Sequence, residues 1–207
     1  MKKIVLSLFI ILLLPLQACA QEKWQEGEHY VVVSDEATAQ PEVVEFFSFW
    51  CPHCFNFEPL VAQIKKQIDT ETTFKKVHVN FMGFTGPDVQ NDATRAMLVA
   101  RSLKKEDALN EAVFRYIHVQ GSSVSGLKDL KNIFIVNGIE PETFDKMVTS
   151  FGVSNMLKMN NKTIEQYRKH LNGVPNFIVN GKFQAKFTRE MKSDDMIELI
   201  VWLTKQK

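Results

Sequence analysis

The sequence predicts an α/β fold in which a helical segment interrupts two β-containing parts. Three observations predict it. Strand-patterned runs lie in the first and last thirds of the chain, and the middle carries apolar residues at helical spacing. Between them a Cys-x-x-Cys pair, Cys51-Pro52-His53-Cys54, sits where an apolar strand gives way to a helix.

Each element has its own warrant. His29 to Val33 reads as a short first strand. Glu42 to Phe49 reads as a second, apolar on both faces (Val43, Phe47 and Phe49 on one, Val44 and Phe46 on the other), the pattern of a central strand. Pro52 can open a helix without losing a hydrogen bond, and Phe57, Leu60, Val61, Ile64 and Ile68 continue it at helical spacing. Phe74 to Phe81 returns to strand pattern and ends at Met82-Gly83, before the loop signal Gly83-Phe84-Thr85-Gly86-Pro87. Ala93 to Leu103 and Asp107 to Val119 read as helices. Ser125 is the expected cap for Leu127 to Val136, which Asn137-Gly138 stops. Pro141 starts another helix that Gly152 is expected to interrupt, and Ser154 to Leu171 is helical up to Asn172-Gly173. Val174 to Val179 is a strand, Asn180-Gly181 a hairpin turn, and Lys182 to Phe187 the partner strand. Ser193-Asp194-Asp195 should cap a last amphipathic helix, Met196 to Leu203. This order is that of thioredoxin with a helical domain inserted: residues 21–82 and 163–207 are expected to form a discontinuous thioredoxin-like domain, and 83–162 the insertion.

Met1-Lys2-Lys3, an apolar stretch from Ile4 to Leu16 and the small-x-small site Ala18-Cys19-Ala20 make residues 1–20 a secretory signal peptide, cut before Gln21. Leu16-Gln17-Ala18-Cys19 offers a competing lipoprotein box that would lipidate Cys19, but Gln17 fits it poorly. Removing 20 of 207 residues leaves 187, moves the formal net charge from +1 to −1, and leaves Cys51 and Cys54 as the only cysteines. Near-neutral charge gives no argument for a nucleic-acid partner. With sixteen phenylalanines the core does not depend on a disulfide, and a bridge between residues so close constrains little of the unfolded chain. The pair therefore reads as chemical. Half of a zinc site is the other reading of a CxxC, but four ligands are needed and no second pair exists, so no metal is expected.

Position assigns the two sulfurs. Cys51 lies at the helix start, where unpaired N–H groups and the dipole favour a thiolate, so it is the expected nucleophile. Cys54 lies one turn in and is the expected resolving thiol. His53 can support the thiolate through its N–H or its charge, and Pro52 stiffens the turn. Stabilising a thiolate stabilises the reduced form, so a depressed thiol makes an oxidising couple and a good leaving group.

Glu45-Phe46-Phe47-Ser48-Phe49-Trp50-Cys51-Pro52-His53-Cys54, His78-Val79-Asn80-Phe81-Met82-Gly83 and Gly173-Val174-Pro175-Asn176-Phe177-Ile178-Val179-Asn180-Gly181-Lys182-Phe183 together resemble the DsbA family of periplasmic thiol:disulfide oxidases. The resemblance spans essentially the whole mature chain. Trp50 departs conservatively from the more usual Phe. DsbA is itself the reference example of a strongly depressed thiol and an oxidising couple, so the strength of the effect follows from the resemblance. It implies a soluble periplasmic enzyme that donates its Cys51–Cys54 disulfide to unfolded exported proteins with paired cysteines, uses no other cofactor, and is reoxidised by a DsbB-like membrane quinone reductase. Pro-His between the cysteines fits donation; thioredoxin-like reductases usually carry Gly-Pro there.

The resemblance also implies that Val174-Pro175 is cis and faces the pair, exposing the Val174 backbone to an extended substrate, where a plain trans turn would be the ordinary reading. It pairs Glu45 with Lys76 beneath the site, as a proton route to Cys54; a solvent-facing Glu45 is the alternative. Glu58 tunes the same region or is a surface charge. Met82 lines a substrate groove or fills core. Two other functions compete. An isomerase would carry a dimerisation region, which does not precede Glu42, so a monomer is expected. A thioredoxin-fold binding module would not need Cys51.

Overall fold

The computed structural model describes residues 23–207; the expected leader 1–20, its cleavage before Gln21 and lipidation of Cys19 lie outside the described residues. Chain order is β1 (Tyr30–Val32), β2 (Glu42–Phe47), α1 (Pro52–Gln67), β3 (Thr73–His78), α2 (Pro87–Ser102), α3 (Glu106–His118), α4 (Leu127–Val136), α5 (Pro141–Val148), α6 (Phe151–Tyr167), β4 (Asn176–Val179), β5 (Phe183–Ala185) and α7 (Ser193–Leu203). The strands form one sheet in the order β1-β5-β4-β2-β3, with β2 parallel to β3 and antiparallel to β4. This is the expected α/β thioredoxin fold with helices inserted between β3 and β4.

Burial on both sides explains why β2 carries apolar residues on both faces around Glu45. On one side Val43 packs with Leu60, Val61 and Ile64 of α1 and with Ile197, Ile200 and Leu203 of α7. On the other, Val44 and Phe46 pack with Ile178 and with Ile164 and Tyr167 of α6. The inserted helices have a core of their own, including Met97, Leu109, Phe114, Phe134 and Phe144. That core is continuous with Phe47, Phe49, Cys51 and Cys54, so the cysteine pair lies where the helical core meets the end of the sheet. Fully burying each of these phenylalanines contributes roughly 1.5–3 kcal/mol. α6 belongs to both parts: Val153 sits in the helical core and Ile164 on the sheet, and the expected return at residue 163 falls inside it.

Several boundaries differ from expectation. β2 and β3 stop at Phe47 and His78, because the ladder closes with the Val79 N–H donating to the Phe47 carbonyl. α2 begins at Pro87, not Ala93; the proline that signalled a loop occupies the first helical position, where its missing N–H costs nothing. Gly126, not Ser125, caps α4, and the Ser125 N–H and hydroxyl both donate to Asp129, at 2.8 and 2.6 Å. The break before α6 falls at Ser150, whose Oγ accepts the Val153 N–H, and Gly152 lies within the first turn. β4 begins at Asn176, since Pro175 has no N–H to give a ladder. α7 starts at Ser193, so Asp194 and Asp195 lie in its first turn, where Asp195 accepts the Lys192 N–H at 3.1 Å.

The hairpin turn does more than reverse the chain. Asn180 and Gly181 adopt φ of 52° and 64°, the left-handed pair of a tight hairpin. A Cβ on Gly181 would meet Thr38 Cγ2 at 3.0 Å and the Tyr167 hydroxyl at 3.2 Å. The Asn180 Oδ1 accepts the Glu42 N–H, and its Nδ2 lies 3.2, 3.1 and 2.8 Å from the carbonyls of Leu203, Thr204 and Gln206, the unpaired end of α7. Asn180→Ala strands those groups and strains a non-glycine φ. It should cost about 2–4 kcal/mol of stability in urea unfolding.

Candidate redox active site

Ser48 turns the chain out of β2. Its Oγ accepts the Trp50 N–H at 3.2 Å and its carbonyl accepts the Cys51 N–H at 3.1 Å. Cys51 then caps α1: with φ −94° and ψ 111° it holds its Sγ 3.1 Å from the Cys54 N–H, the place usually taken by a serine or aspartate oxygen. Pro52 follows in the first turn of the helix. Both sulfurs are free thiols and both residues are buried, Cys54 completely.

The surroundings push the two thiols in opposite directions. The hydrogen bond from the Cys54 thiol is the largest influence on Cys51, outweighing burial; the N–H groups of Cys54 and His53 and then the His53 charge add to it, bringing Cys51 from 9.0 down to about 6. The His53 ring stands exposed. Its charge has the smallest share among these influences, and the Cys54 thiol, which sequence reading did not credit, has the largest. Burial, followed by the Cys51 sulfur, holds Cys54 far above the ordinary thiol range.

Two measurable consequences follow for the reduced protein. Alkylation by iodoacetamide should modify Cys51 alone while the protein stays folded, with a rate that titrates near pH 6. Stability should also depend on pH. Between about 6 folded and 9.0 unfolded, the unfolded chain binds more protons at Cys51, so stability rises with pH across that window and is lost as pH falls through 6. Urea melts of the oxidised protein, which has no Cys51 thiol to titrate, should lack this slope.

The Val174–Pro175 bond is cis, and the Val174 carbonyl accepts from Cys51 Sγ at 3.3 Å. Val174 therefore stands directly against the expected nucleophile. Met82 packs on the same buried cluster as Val174, on the sheet side. Its backbone is held by the buried Gln90, which binds the Met82 N–H at 3.1 Å and carbonyl at 2.8 Å, and the Thr85 carbonyl at 2.8 Å.

Glu45 and Lys76 are register partners on β2 and β3, both buried. Lys76 Nζ donates to Glu45 Oε2 and to Glu58 Oε1, each at 2.7 Å, and lies 4.5 Å from the centre of the Phe47 ring. Glu45 thus does not face solvent, and Glu58 is part of the buried network through Lys76. Burial works against the Lys76 charge, but the Glu45 and Glu58 carboxylates outweigh it and hold the ammonium above its usual range. Burial dominates at Glu45 and raises its carboxyl, and among the described residues Glu45 Oε1 has no hydrogen-bond partner. The Glu45 charge in turn helps keep Cys54 protonated. A carboxyl raised by burial beside a protonated thiol can hold or release a proton at Cys54 as that sulfur leaves or re-enters a disulfide.

Sequence reading missed Ser48 and Gln90. Each is a buried polar residue whose role is to bind backbone groups beside the site, and neither has a local motif. Arg101 was missed as well; its guanidinium donates to the Lys76 carbonyl at 2.8 Å and twice to Glu106, tying the insertion to the strand that carries Lys76.

Comparison with known proteins matches residues 42–196 to the family described as "DSBA-like thioredoxin domain". The chain is similar to the thiol:disulfide interchange protein DsbA of Haemophilus influenzae, 34% identical over 203 residues that cover 96% of this chain and 94% of that protein. Among solved structures it is similar to the disulfide oxidoreductase DsbA from Proteus mirabilis, with a TM-score of 0.75, 28% identity, and coverage of 88% of this chain and 96% of that one. A second Proteus mirabilis structure, a cysteine-to-serine DsbA with the non-covalently bound peptide PWATCDS, matches with a TM-score of 0.74, 27% identity, and coverage of 88% and 97%.

Proposed function

The chain belongs to the DsbA family and is a thiol:disulfide oxidoreductase, and from that premise we propose that it oxidises paired cysteines in newly exported proteins by giving up its Cys51–Cys54 disulfide. The observation that carries this reading is the opposed tuning of the two thiols around a sulfur-capped helix. A substrate thiolate attacks Cys51 Sγ. The Cys51–Cys54 bond breaks, and Cys54 leaves and takes up a proton, as its raised affinity favours. A second substrate thiolate attacks the substrate sulfur of the mixed disulfide, and Cys51 leaves as a thiolate capping α1. The substrate loses two electrons and two protons; the electrons reduce the enzyme's disulfide, one proton goes to Cys54 and the other to solvent, and the enzyme is left with a Cys51 thiolate and a Cys54 thiol.

Glu45, Lys76 and Glu58 supply the proton route for Cys54. The Val174 backbone beside Cys51 is the edge on which an extended substrate pairs, with Met82 on the flanking wall; that the Proteus mirabilis protein binds the peptide PWATCDS non-covalently supports a peptide ligand. The reading places the protein in the periplasm as a monomer, without a cofactor beyond its own disulfide, and has a DsbB-like membrane quinone reductase restore that disulfide. Among the described residues no helix is long and apolar enough to cross a membrane.

Equilibration of the couple with a glutathione buffer tests the direction of transfer. The expected potential is far more oxidising than thioredoxin's ~−270 mV, and a value near that figure would overturn the oxidase reading. For the partner, reduced protein should be reoxidised by quinone-containing bacterial membranes and not by quinone-depleted ones.

A further inference from the structure

The segment on either side of the cysteine pair is gripped by a residue from the insertion. His118 is the last residue of α3. Its Nε2 lies 2.8 Å from the carbonyl oxygen of Phe49, two residues before Cys51. Its ring stacks on Phe55, the residue after Cys54, with centroids 5.3 Å apart and planes 11° from parallel. Phe55 is joined to the pair in turn, its N–H donating to the Cys51 carbonyl at 3.1 Å. One imidazole therefore touches the chain just before and just after Cys51-Pro52-His53-Cys54.

The hydrogen bond answers a need of the backbone. Phe49 is fully buried and lies between β2 and α1, outside both ladders, so its carbonyl requires a partner from elsewhere. A carbonyl only accepts, so Nε2 must carry the proton, which fixes the ring as the Nε2–H tautomer or the imidazolium. Without that donor the Phe49 carbonyl is a buried dipole with its negative end unmatched, close in sequence to a sulfur that must carry charge. The turn that aims the Cys54 N–H at Cys51 Sγ also loses its outer support.

We propose that His118 is a positioning residue of the redox couple, through which the inserted helices hold the cysteine loop in the geometry that favours the Cys51 thiolate. The inference rests on the assignment of Cys51 and Cys54 as the reacting pair. It gives the insertion a role in setting the potential of the site.

His118→Phe keeps the aromatic stack and removes the donor; His118→Gln keeps a donor and removes the stack. The glutathione equilibrium and the pH profile of Cys51 alkylation should be read for both. His118→Phe is expected to make the couple about tenfold less oxidising, the scale of orphaning a buried acceptor, and to move the alkylation midpoint upward. His118→Gln should restore most of both. An unchanged equilibrium and pH profile in His118→Phe would overturn the proposal, whatever happens to overall stability. If that variant does not fold, ¹⁵N spectra of the wild-type imidazole decide: an Nε2–H ring whose shift differs between oxidised and reduced protein supports the inference, and an Nδ1–H tautomer or identical spectra overturn it. A wild-type couple as reducing as thioredoxin would sink the oxidase reading while leaving the comparison between variants intact.

Discussion

Cys51→Ser is expected to reduce disulfide transfer to the uncatalysed rate, because a hydroxyl forms no disulfide and the remaining sulfur, on Cys54, is completely buried. Oxidative refolding of a reduced, cysteine-containing substrate measures this, and retention of wild-type activity would leave only a thioredoxin-fold binding module. Variants at Cys54 separate the physical causes. The Cys54 thiol donates the hydrogen bond with the largest influence on Cys51. Cys54→Ser keeps a donor there and should leave the Cys51 alkylation midpoint close to 6. Cys54→Ala removes the donor and should raise that midpoint clearly above it. Equal midpoints in the two variants would mean that the helix terminus alone sets the thiolate.

Lys76→Met should produce the largest loss of stability of any substitution near the site, about 3–5 kcal/mol, because it leaves a buried Glu45 carboxylate without its countercharge. Glu58 suffers less, being partly open to water. The loss should depend on pH with a definite sign. Glu45 is already raised by burial, and removing Lys76 raises it further. The folded state then binds more protons than the unfolded state above the ordinary carboxyl range, so the variant is least destabilised in acid and loses stability as pH rises through and beyond that range. Adding Glu45→Leu should recover most of the stability, since a packed apolar pair replaces the ionic one at little cost. It should not recover the rate of transfer if Glu45 moves the Cys54 proton. Urea melts and transfer rates on the single and double variants make the comparison.

How much of this was legible in the sequence depended on the range of the interaction. Cys51-Pro52-His53-Cys54, the two-sided run of β2 and Asn180-Gly181 are local signals, and the structure places each where it was expected. Pro87 misled because proline serves a loop end and a helix start equally well. Ser125 misled because the next residue could cap in its place. Ser150 and Gly152 both fit a helix break, and the side-chain cap decided for the serine. The contact of Glu45 with Lys76 needed the β2–β3 register, which the resemblance supplied and composition did not. Arg101 and His118 bind carbonyls 25 and 69 residues away, Gln90 binds back across a loop to Met82 and Thr85, and a polar residue in an amphipathic helix gives no sign of which backbone group it will meet. His118 at the end of α3 would be read only as a basic residue suited to a helix C-terminus.

The sulfur that caps α1 gives folding and chemistry a shared atom. In the Cys51–Cys54 disulfide and in the mixed disulfide alike that sulfur is bonded and neutral, a poor acceptor, and the first turn of the helix lacks the anion that satisfies it in the reduced protein. Expelling the finished substrate returns the charge and recaps the helix, a gain on the order of 1 kcal/mol from the cap itself. The quality of Cys51 as a leaving group is in this sense a property of secondary structure. Each disulfide given away ends by capping a helix, and each reoxidation uncaps it again.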